Sequence, residues 1–126
     1  MPHVVRRGRA DLAAAWRALP RGPWRWGNAV ARVEGCYLED DGKALLVAGV
    51  VVEYGRPLHP VVLVSLREDA TAVHLWSAAT VERTAAVKSF LALIAAELER
   101  FGAGEIIVTN LGEAGPAAGA EPGVPD

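Results

Sequence analysis

At 126 residues, 52% hydrophobic and 22% charged, the chain has the size and composition of one globular domain able to bury about two-thirds of its unfolded surface. Its longest apolar run, Ala44 to Val52, is far too short to span a bilayer. The N-terminal MPHVVRRGR has no apolar segment behind its charges, and a single cysteine, Cys36, provides neither a disulfide framework nor a zinc spacing. These features lead to the expectation of a cytoplasmic protein without a membrane-spanning helix, a membrane partner or a metal. The net charge of −2 hides seven arginines against one acid, Asp11, in residues 1–32. No RNA- or DNA-binding motif accompanies them, so the basic third is expected to pair with the acidic remainder rather than with nucleic acid.

In chain order, His3 to Arg6 reads as a short edge strand. Asp11 is placed as an N-cap, and Leu12, Trp16 and Leu19 form one apolar stripe on a helix that Pro20 ends. Arg21 to Gly27, RGPWRWG, reads as a loop. Ala29 to Glu39 alternates as a half-buried strand, and Asp40-Asp41-Gly42-Lys43 carries hairpin-turn chemistry. The next strand, Lys43 to Tyr54, contains LLVAGVVV and is apolar on both faces, which predicts a central strand covered on both sides. Val61 to Leu66 is of the same kind, and Thr71 to Trp76 follows after a Glu68-Asp69 turn. The short connections favour an antiparallel meander.

From Thr80 to Phe101 the pattern is helical, with Val87, Leu91, Ile94, Leu98 and Phe101 on one stripe and Gly102 placed as a left-handed cap. Glu105 to Thr109, EIIVT, reads as a buried strand parallel to strand 71–76 through a right-handed crossover. One domain over 1–111 is therefore expected, followed by a disordered Gly/Ala/Pro tail over 112–126. The class is α+β: a mixed, mainly antiparallel sheet with an N-terminal helix and a long central helix.

Three segments carry a family resemblance: VVRRGRADLAAAWRAL, YLEDDGKALLVAGVVV and ELERFGAGEIIVTN. In this order, over residues 3–110, they resemble the first strand and helix, the second and third strands, and the end of the central helix with the fifth strand of the GCN5-related N-acetyltransferase (GNAT) superfamily. A cystatin-like or ferredoxin-like α+β fold accounts for the meander but less well for the opening helix. The family's phosphate loop reads Gln/Arg-x-x-Gly-x-Gly/Ala before the central helix, where bare amides and the helix dipole meet the coenzyme A pyrophosphate. Its nearest frame here is Arg83-Thr84-Ala85-Ala86-Val87-Lys88, with Ala86 and Lys88 at the glycine positions and Glu82 alongside. The family's last helix and two strands have no counterpart after Asn110.

The resemblance implies acetyl-CoA as cofactor, with Ser77 and Ala78 beside the pantetheine arm and Arg83, Thr84, Ala86 and Lys88 at the phosphates. For a transferase, Glu53 or His59 is the candidate base that deprotonates the acceptor amine. The other reading of 80–88 is structural: Thr80 caps the helix, Glu82 complements its dipole, and Arg83 and Lys88 face water. Trp24 and Trp26, interleaved with arginines, suit a ligand surface, a subunit interface or a lid on the core. The favoured expectation is a degenerate GNAT-like binding or assembly module that forms homo-oligomers. The alternative is an acyl-CoA-dependent N-acyltransferase acting on an amine.

Overall fold

In the computed structural model, which describes residues 2–111, the chain runs β1 (His3–Arg7), α1 (Leu12–Ala18), β2 (Trp24–Trp26), β3 (Ala29–Leu38), β4 (Ala44–Glu53), β5 (Arg56–Leu58), β6 (Val61–Leu66), β7 (Ala70–Leu75), α2 (Ala85–Glu97) and β8 (Ile106–Thr109). A 3-10 turn, Leu98–Phe101, extends α2. The segment 112–126, expected to be a disordered tail, lies outside the described residues. One sheet holds all eight strands in the order β2-β3-β4-β6-β7-β1-β8, with β5 continuing beside β4. Every strand pairing is antiparallel. The fold is thus α+β with an N-terminal and a long central helix.

Local chemistry explains most boundaries. The Asp11 carboxylate accepts the Ala14 amide and starts α1. Asp41 accepts the Lys43 amide while Gly42 takes φ 73°, which closes the β3–β4 hairpin. The β4–β5 hairpin turns on Tyr54 and Gly55, both at positive φ, the geometry of a type I′ turn. Helix α2 begins later than Thr80: its cap is Thr84, whose hydroxyl accepts the Val87 amide, and residues 80–84 are irregular. Beyond Phe101, Gly102 takes φ 97° and the Ala103 amide reaches back to the Leu98 carbonyl, a left-handed helix end.

Both helices lie against one side of the sheet. Helix α2 packs on β1, β4 and β7, and α1 on β3, β4 and the 3-10 turn. On that inner side Leu45, Val47 and Val51 of β4, Val62 and Val64 of β6, and Val73 of β7 are fully buried beneath Val87, Phe90, Leu91 and Ile94. Gly49 leaves room for the Phe90 ring, since a Cβ there would fall on its Cζ and Cε2. The helix is buried on more than the expected stripe: Ala86, Ser89, Phe90 and Leu93 are buried as well. On α1, Leu12 and Leu19 are buried, but Trp16 stays 43% exposed and donates its Nε1–H to the Cys36 carbonyl.

Two sequence expectations fail for one topological reason. Strands β7 and β8 do run in the same direction, yet β1 lies between them, antiparallel to both. Consequently β8 is an edge strand with all four residues exposed, rather than a buried parallel one. The position of β1 is held by Arg6, which is buried. It donates from Nε to the Gly104 carbonyl (2.6 Å) and from Nη1 to the Ala95 carbonyl (3.1 Å). Thr71, also buried, accepts the Ala10 amide and donates to the Gly8 carbonyl, anchoring the β1–α1 link to β7. The third failed expectation is the cover on β4 and β6: among the described residues it exists on one side only.

Candidate functional site

The outer side of the sheet is chemically like the inner one. Strict alternation along β4 turns Leu46, Ala48, Val50 and Val52 outward, each half-buried by strand neighbours alone. Register places Leu46 beside Leu63 of β6 and Tyr37 of β3, and Leu63 beside His74 of β7. That row runs on through His74 to His3 of β1, whereas Val5 of β1 and Val108 of β8 lie in the next row, beside Ala72. Over this floor lies a groove of about 460 Å³, lined by Tyr37, Leu46, Leu63 and Trp76 with Glu39 and Ser65 at its margin. Tyr37 is 62% exposed and Trp76 37% exposed. The Tyr37 ring lies back over Gly35, where a Cβ would stand 2.9 Å from its Oη. A β-bulge between Val33 and Gly35 shifts the alternation of β3 and aims Tyr37 to this side.

A polar strip ends the apolar patch. Glu34, in the bulge, lies 3.8 Å from the Arg32 guanidinium and 3.6 Å from His59 Nδ1, all three being exposed. Here the two proposed bases part company. His59 is engaged with Glu34, whereas Glu53 ends β4 opposite Arg56. Since Leu58 pairs with Val51, His59 falls beside Val50, three residues from Glu53 and about 10 Å away along the strand. They do not converge on one proton.

The start of α2 does gather some of the proposed cofactor residues. Arg83 and Lys88 line one cavity of about 190 Å³ with Pro2, Asn110 and Leu111. Ser77 and Arg83 share a smaller one, about 110 Å³, with Trp76, Ala79, Thr80 and Val81. Ala78 is exposed on the connection outside both. Ala86 is buried in the core, so its methyl points away from the loop rather than into it. Glu82 forms an ion pair with Arg56, which draws its charge off the helix start. However, the Val87 amide is taken by the Thr84 hydroxyl and the Lys88 amide by the Thr84 carbonyl. The corner therefore gathers two cations at a helix start whose Val87 and Lys88 amides are already engaged.

Trp24 is fully buried on β2, and Trp26 is half-buried against the core, so the first ring is interior and neither is presented whole to a partner. The Trp24 Nε1–H is buried with no hydrogen-bond partner among the described residues. Cys36 is a buried thiol on the inner side of β3, and burial raises its pKa against the opposing pull of Arg21. Among the described residues no group of three His, Cys, Asp or Glu side chains is placed to hold a metal, and no helix is long and apolar enough to cross a membrane. The groove residues Tyr37, Leu46, Leu63 and Trp76 were not singled out from sequence. The available signal was the two-sided apolar character of β4 and β6. Compared with protein-family models, with curated proteins and with solved structures, the chain matches none of them.

Proposed function

We propose that this chain is a binding or assembly module of generally GNAT-like shape, homo-oligomeric, whose working surface is the part of its sheet that its own helices leave uncovered. One observation carries the reading: β4 and β6 are as apolar outward as inward, and the outward side ends in an aromatic-walled groove instead of a helix. Apolar surface contiguous over several strands marks an interaction site more often than a scattered exposed Leu does. The exposed strand β8, with Ile106, Ile107 and Val108, leaves a separate, open edge beside that surface.

A second reading, acyl-CoA-dependent N-acyl transfer to an amine, draws on Arg83 and Lys88 facing one cavity beside the start of α2. Calorimetry with acetyl-CoA and with CoA separates the two, alongside a sizing column. The assembly reading expects no heat of binding at millimolar ligand and a mass above that of one 13.3 kDa chain. Binding that is lost on Arg83→Ala and Lys88→Ala would favour the transferase.

A further inference from the structure

Resting on the assembly reading, we infer that the sheet's outer face, rather than its edge, is the contact surface, and that its occupant is a second copy of this chain packed face to face. Both sheet edges are poor templates for strand addition. Strand β2 has three residues, and β8 has four with a register shift against β1; short, irregular edges are how sheets resist pairing. The face is the reverse: Leu46 with Leu63 and Ala48 with Val61 are paired in register on β4 and β6, His74 flanks Leu63 on β7, and Val5 of β1 lies one row over.

Size supports a copy of the chain as partner. Six strands, β3 to β8 in sheet order with β8 contributing Val108, at ~4.8 Å spacing and about five residues of length at ~3.4 Å each give a footprint of about 500 Å² per copy. Two such footprints, about 1,000 Å², reach the size at which a specific interface begins. The remaining sequence is a poor substitute, because residues 112–126 contain a single large apolar side chain, Val124. Charge agrees too. Along β3 the rim carries Arg32 and Glu34 of opposite sign beside an apolar centre, so this side of the patch does not set like charge against like. A strongly charged partner would call for a rim of one sign. Two sheets packing at ~10 Å with an apolar centre and polar rim form a sandwich, and the self-complementary contact is isologous.

The test is sedimentation velocity of the full chain over a range of concentrations, with three variants and far-UV circular dichroism on each. The wild type is expected to be a dimer. Leu63→Glu, at the centre of the face, should raise the dissociation constant at least about 30-fold, the effect of losing one interface anchor. Tyr37→Glu, at an exposed position that the monomer tolerates, should raise it about tenfold, and it decides the matter if Leu63→Glu fails to fold. Ile107→Lys on β8 should leave the dimer intact. A dimer that survives both face variants but is lost in Ile107→Lys overturns the face-to-face inference and leaves the assembly reading standing. A wild-type monomer at every concentration overturns both.

Discussion

The two sides of β4 carry nearly the same side chains and meet opposite fates. Inward, Leu45, Val47 and Val51 are fully buried under α2; outward, Leu46, Ala48 and Val50 keep contact with solvent. A strand buried on both faces and a strand that awaits a partner have the same composition. Apolar pattern therefore reports how much surface must be covered, not whether the strand's own domain supplies the cover.

Neighbouring positions give the sharpest contrast. Leu45→Ala should cost about 2–5 kcal/mol, because it empties a fully buried site. Leu46→Ala, at a half-buried position, should cost the dilute monomer only about 1 kcal/mol. Urea unfolding at low and high protein concentration measures both, and equal costs at low concentration would erase the distinction between the sides. Two of the glycines that seat aromatic rings provide a second pair. Gly49→Ala drives a methyl into Phe90 and to 3.2 Å from the Arg32 carbonyl, an overpacking worth about 1–3 kcal/mol. Gly35→Ala meets only the mobile end of exposed Tyr37. It should alter stability little while re-aiming that ring, which thermal melts and sedimentation together would reveal.

The smallest effect is a pH dependence on the inner side. Burial raises the Cys36 pKa, so the folded state keeps its proton to higher pH than the unfolded chain does. The stability from this source is complete below the unfolded thiol's pKa and is lost as pH rises through the folded one. Chemical unfolding from pH 7 upward should show a decline that Cys36→Ala flattens. An identical slope in the variant would assign the decline to other groups.

Features set by a few neighbouring residues were readable from the chain: the Asp11 cap, the Asp41-Gly42 turn, the Gly102 helix end and the stripe Val87, Leu91, Ile94 and Leu98. Competition between nearby hydroxyls misplaced the start of α2, since Thr80 and Thr84 are both good caps and packing of Ala86 and Val87 selects the second. Long-range choices were not readable. Nothing in HVVRR announces that it separates β7 from β8, and the RGPWRWG stretch conceals a three-residue strand that buries Trp24. Among site candidates, Arg83 and Lys88 are five positions apart and line one cavity although Arg83 precedes the helix, whereas Glu53 and His59 are separated by a hairpin register that spacing does not encode.

The insertion of β1 between β7 and β8 also sets an order of events. Strand β1 finds its partners about seventy and about a hundred residues later, contacts of the kind that slow folding. During synthesis at the ribosome the meander β3–β7 can assemble from local hairpins, but its β7 edge stays open until the N-terminus returns to it. Strand β8 then has nowhere to dock until β1 has done so. Strands β1 and β8 thus depend on one another, and Arg6, bonded to the Gly104 and Ala95 carbonyls, ties β1 to the segment that leads into β8.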